Sequence, residues 1–155
     1  MAGGMSAEKC LARLDGPDGG HGGAVGLESG HDLRLDDFWP ANWLWKDGRL
    51  TGVIDEENAL TGPALADLAI SRLDVAWALG FEAMEALTAR YLWRRPLPTS
   101  ELAHWDSRAS RRPMANLPDW SAPHASLDRP DVTHGGMRST LFEFIERALR
   151  RAAGA

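Results

Sequence analysis

The uneven spread of glycine decides where this chain can fold. Residues 1–30 hold nine of the 16 glycines, and Gly16 to Gly30 reads GPDGGHGGAVGLESG. Glycine loses more backbone freedom on ordering than any other residue, and no apolar period runs through the stretch to offset that loss. The expectation is a flexible leader over residues 1–32, with at most a short helix from Ala7 to Leu14, and one folded unit over residues 33–155. A unit of that length can bury a core without covalent staples. The single cysteine, Cys10, excludes an internal disulfide and a multi-cysteine zinc site.

From Leu33 onward the patterning becomes structural. Trp43-Leu44-Trp45 and Leu50 to Ile54 read as two short strands joined at Asp47-Gly48, a dipeptide suited to a tight hairpin because glycine tolerates positive φ. Pro63 to Leu79 reads as a helix with Leu65, Leu68, Ala69, Ala76 and Trp77 on one face and Gly80 as its stop. Phe81, Met84, Leu87 and Tyr91 repeat at helical spacing and give a second helix, closed by Arg95-Pro96. Thr99 or Ser100 caps a third, running to about Arg112. Met114 to Pro130 holds three prolines and reads as loop. Met137, Leu141, Phe144, Ile145, Ala148 and Leu149 mark a last amphipathic helix, with Arg147, Arg150 and Arg151 read as a solvated face near its end. The fold class is α+β, mostly helical with a small β-hairpin.

Charge narrows the function. Basic residues number 17 and acidic ones 22, a net charge of −5, which argues against a nucleic-acid binder that works by neutralising phosphates. No apolar run reaches the roughly 20 residues that cross a bilayer, and MAGGMSAEKCLARL lacks the apolar centre of a signal peptide. A soluble, cytoplasmic protein with neither nucleic-acid nor membrane partners is expected. His21, His31, His104, His124 and His134 lack the i, i+4 pairing of a zinc protease, no Gly-x-Ser-x-Gly motif occurs, and Cys10 sits in the leader, without support as a nucleophile. Trp39, Trp43 and Trp45 read as packing residues rather than a ligand platform.

Three residues stand out by type and spacing: Asp37, Asn42 five positions later, and Asp55 at the end of an apolar strand. Phosphoryl transfer uses such a set. One carboxylate orients and deprotonates the attacking hydroxyl, while an amide oxygen and a second carboxylate suit a hard cation such as Mg²⁺. The segment Asp37-Phe38-Trp39-Pro40-Ala41-Asn42, then Ile54-Asp55-Glu56-Glu57, then Gly62-Pro63-Ala64-Leu65-Ala66-Asp67-Leu68-Ala69 resembles, in order and separation, the catalytic segments of the aminoglycoside phosphotransferase family. The stretch Trp105 to Pro113 and the last helix also resemble the C-terminal part of such proteins.

The resemblance, read from about Leu33 to the end, implies a protein-kinase-like C-terminal lobe and ATP- and Mg²⁺-dependent transfer of a phosphoryl group to a hydroxyl of a small molecule. It implies Asp37 as catalytic base, Asn42 and Asp55 as Mg²⁺ ligands, and Asp67 as a structural carboxylate holding the catalytic loop. Some positions depart from the family pattern. Leu35 and Asp36 stand where the family has His-Gly, Pro63 replaces the Asp of Gly-Asp-Pro, and Glu56 replaces an aromatic residue. The family's N-terminal lobe, with its phosphate-facing lysine, has no counterpart in the glycine-rich leader. Lys9 and Lys46 are the only lysines, and Lys46 falls at the hairpin turn. A truncated or frame-altered gene upstream of Asp37 is one expectation, and impaired activity of the chain alone is another. An N-terminal lobe on a separate chain, or self-association, are the partners that would follow. The alternative function is a non-catalytic remnant or binding module derived from such a kinase, with an exposed apolar face.

Overall fold

A computed structural model describes residues 31–35, 38, 42–55, 57, 59–114, 117–126 and 129–154. Leader residues 1–30, with the expected helix from Ala7 to Leu14, and Asp37 lie outside the described residues, whereas His31 and Asp32, the last two residues of the expected leader, lie in a strand.

Two separate antiparallel ribbons precede a set of helices. β1 (His31–Arg34) pairs with β4 (Leu60–Pro63), and β2 (Trp43–Lys46) pairs with β3 (Arg49–Val53). The second ribbon is the expected hairpin. Asp47 and Gly48 have φ of 50° and 77°, the two consecutive positive angles that a two-residue turn of the right twist requires. Its register breaks between Leu44 and Trp45, which pair with Gly52 and Leu50 respectively. Thr51, skipped by the ladder, donates its hydroxyl to the Leu44 carbonyl at 3.1 Å. The first ribbon was not expected. Its strands are short, and neither carries the alternating apolar pattern of a half-buried strand.

α1 (Ala64–Leu79) is the centre of the molecule. The sequence predicts one buried face, but every residue from Ala64 to Ala78 except Asp67 is buried. The reason is position: α2 (Phe81–Arg94), α3 (Leu102–Ala109), α5 (His134–Ala152), β1 and β4 all lie against α1. Gly80, at φ 90°, ends α1 where a side chain would be strained. The main core joins Leu73, Ala76 and Trp77 of α1 to Met84 of α2 and to Met137, Leu141 and Phe144 of α5. The Trp77 indole N–H donates to the Met137 carbonyl at 2.9 Å, so a buried polar group is satisfied where α5 docks. A second cluster seats Leu65 and Leu68 against Leu102, with Tyr91 and Leu92 beside it.

Other expectations are corrected. The third helix begins with a 3₁₀ turn over Thr99–Glu101 and is α-helical only to Ala109, and no side chain at Thr99 or Ser100 caps it. The proline-rich stretch is not all loop: α4 runs over Leu117–Ser126, with Pro118 in its first turn, where proline's missing N–H does no harm. α5 begins at a Thr133 cap, whose hydroxyl oxygen accepts from the Gly136 N–H at 3.1 Å. The fold is α+β and mostly helical. No described helix is long and apolar enough to cross a membrane.

Candidate active site

The hairpin brings two of the proposed site residues together. Asn42 immediately precedes β2 and Asp55 lies just past β3. The Ile54 N–H donates to the Asn42 carbonyl at 3.0 Å, extending the Trp43–Val53 pairing by one step. Residues distant in sequence thereby share one end of the ribbon. Lys46 is exposed at the other end, beside the turn, about 13 Å away by strand geometry. Asp37 is outside the described residues, so its place beside this pair rests on sequence alone.

The two donors differ in setting. Asn42 is buried at 7% exposure, while Asp55 is exposed. Asp55 also has φ 66°, a left-handed conformation that costs a side-chain-bearing residue energy. Aspartate tolerates that region better than most residues, and such strain concentrates at working sites. Amide and carboxylate oxygens form the donor chemistry of a hard cation such as Mg²⁺. In kind, then, the pair fits a magnesium ion. Among the described residues no three His, Cys, Asp or Glu side chains converge as a metal cage.

Beside the pair lies an apolar ledge that the sequence reading did not single out. Leu44 pairs with Gly52 across the ribbon and Ile54 follows Gly52 by two positions, so alternation puts the three on one face. A Cβ built on Gly52 would sit 3.6 Å from Leu44 Cδ1, so the leucine lies over the glycine. Leu44 and Ile54 are both exposed. The available signal is their place next to Asn42 and Asp55. On the other side of the ribbon, Trp43 and Trp45 are half-buried and Trp43 packs on the core. Phe38 meets Trp43 with ring centroids 5.0 Å apart. That contact ties the segment holding the candidate residues to the body of the protein.

Asp67 lies in the first turn of α1, partly buried. Asp67, Asp32 and Arg95 all act on the nearby Tyr91. Burial pushes the Tyr91 phenol up from its usual range, with Arg95 pulling the other way and Asp67 and Asp32 reinforcing the rise.

Residues 34–109 match the model of the phosphotransferase enzyme family, APH. That match supports the resemblance read from the motifs over this segment. The match contains Asn42, Asp55, Asp67 and Asp37, and stops at the end of α3, short of α4 and α5, over which the motif resemblance also runs. No curated protein and no solved structure matches the chain.

Proposed function

We propose that residues 33–155 form a kinase-like C-terminal lobe serving ATP- and Mg²⁺-dependent transfer of a phosphoryl group to a hydroxyl of a small molecule. Asp37 accepts the proton of the attacking hydroxyl, and Asn42 and Asp55 hold the cation. Bound there, Mg²⁺ would neutralise charge on the nucleotide phosphates. Leu44 and Ile54 offer a flat apolar ledge for the base of the nucleotide. Asp67 steadies the loop from the start of α1. The observation that carries this reading is the backbone hydrogen bond from Ile54 to Asn42, which sets Asn42 and Asp55 at one end of a hairpin within a segment that matches the phosphotransferase family model.

Mg²⁺-dependent ATP binding, measured by calorimetry on the full chain, tests it. Binding that requires Mg²⁺ and is lost in Asp55→Ala supports the reading. A folded protein that binds no nucleotide overturns it, and the family resemblance then records descent only. A second reading is favoured by one observation: Leu33, Leu44, Leu50, Ile54 and Leu60, all on or beside the ribbons, are exposed. Such a surface suits docking of a separately encoded lobe or a second copy. A monomer by sedimentation that stays monomeric at high concentration speaks against the second copy.

A further inference from the structure

β1 is inside out. Its middle leucine, Leu33, is 68% exposed, while its flanking charged residues, Asp32 and Arg34, turn toward the protein. On that inner face Asp32 lies opposite Gly62 in the ladder. A Cβ at Gly62 would come within 2.7 Å of Arg34 Cδ, so the arginine stem fills the space above the glycine. The outer face pairs Leu33 with Thr61, which is also exposed.

Strand register is normally set by which face is apolar, because a slip of one residue turns every side chain over. Here that rule works against the observed register, since a slip would bury Leu33. Something polar must hold the strand. Asp32 forms an ion pair with Arg95, the residue that ends α2. Arg95 is itself fixed, because its N–H donates to the Tyr91 carbonyl at 2.8 Å. We propose that the Asp32–Arg95 ion pair pins the register of β1, and that both are positioning residues for the segment carrying Asp37, which follows Arg34 by three positions. The importance of Asp37 rests on the function proposed above; the pin itself does not.

Amide hydrogen exchange on the full chain tests the pin, through Arg95→Gln, Asp32→Asn, and the exchanged pair Asp32→Arg with Arg95→Asp. Each single variant is expected to speed exchange of the β1 and β4 amides by about tenfold or more while α1 keeps its protection. The exchanged pair restores slow exchange. Adding Leu33→Thr to Arg95→Gln also restores it, because that change removes the apolar residue that favours the slip. Unchanged β1 exchange in both single variants overturns the proposal, and so does failure of Leu33→Thr to rescue. Equal loss of protection in α1 and β1 overturns it too, since the pair would then hold the whole fold rather than one strand. Mg²⁺–ATP affinity is measured on the same proteins as the separate readout of the function proposed above. If the wild type binds no nucleotide, the functional reading fails while the exchange data still decide the pin.

Discussion

Arg72 of α1 and Asp106 of α3 form a two-pronged ion pair in the interior: Nε meets Oδ1 at 3.0 Å and Nη2 meets Oδ2 at 3.2 Å, with each residue 1% exposed. The guanidinium also donates to the Thr88 hydroxyl of α2, which in turn donates to the Met84 carbonyl at 2.7 Å. Arg151 of α5 reaches the same carboxylate, with Nη1 2.8 Å from Oδ2. Arg151 is therefore not part of a merely solvated face, and neither is Arg147, which pairs with Glu143 and lies over the Phe81 ring of α2 at 4.1 Å from its centroid; Arg150 pairs with the exposed Glu146 one turn away. Four helices meet in one polar knot. Burial pushes the Asp106 carboxyl up from its usual range, and Arg72 and then Arg151 pull the other way.

Breaking this knot on one side should cost far more than removing it. Asp106→Ala strands a buried guanidinium and is expected to lower stability by about 3–5 kcal/mol. The double variant Arg72→Met with Asp106→Leu replaces ions with apolar volume and should cost clearly less. Urea unfolding of the three proteins, compared at equal slope, measures the difference. If the double variant is as damaged as Asp106→Ala, the desolvation argument fails.

The knot also shows where sequence reading stops. The hairpin is legible because Asp47-Gly48 demands it chemically, and Asn42 and Asp55 become neighbours once the hairpin is drawn. The burial of Arg72 is not legible. It stands among apolar residues on a helix whose whole circumference is buried, and only the arrival of α2, α3 and α5 makes that so. α4 is hidden by its own prolines. β1 is hidden because its register is held by charge, leaving no apolar alternation to read.

The backbone at Asp55 gives a second prediction. Its φ of 66° is one that glycine adopts freely and alanine resists. Asp55→Gly should be more stable than Asp55→Ala by about 1 kcal/mol, since only the alanine retains the left-handed strain. Both remove the carboxylate, so both should lose Mg²⁺-dependent nucleotide binding. Thermal melting compares the stabilities and calorimetry the binding. Equal stability of the two variants would mean that the conformation is not held in solution.

Acid should weaken the junction of α4 with α1. His124 is buried, and burial followed by the nearby Arg129 lowers its pKa below the usual 6.5. Arg129 binds Asp131 through both carboxylate oxygens, at 2.9 and 2.7 Å, and donates to the Ala78 carbonyl at 2.5 Å. That bond to Arg129 holds Asp131 below its usual range. For His124 the unfolded chain binds the proton more readily than the folded one. Stability is therefore full above pH 6.5 and falls as pH drops from there toward the folded-state value. Asp131 acts in the same direction but lower, its share being lost below its usual 3.8. The melting temperature should decline from pH 7 to pH 5, and His124→Gln should flatten that decline while leaving the loss below pH 4 in place. A wild-type profile flat from pH 7 to pH 5 contradicts the assignment.

Gly48 offers a way to disturb the candidate site without touching it. With φ 77°, it closes the turn at the far end of the ribbon from Asn42 and Asp55. Gly48→Val places a β-branched residue in a left-handed position, at a cost of about 1–2 kcal/mol or more. The strain falls on a two-stranded ribbon, a structure with little stability of its own. As the ribbon loosens, the hydrogen bond between Ile54 and Asn42 is made less of the time, and the amide and carboxylate lose their common frame. Nucleotide affinity in the presence of Mg²⁺ should then fall severalfold, although no donor has changed. Gly48→Asn, which tolerates the same angle, should keep most of it. Calorimetry on the two variants reads the difference. Equal affinities, with β2–β3 amide exchange faster only in the valine variant, would mean that the hairpin does not organise the site and that Asn42 and Asp55 do not act as a pair.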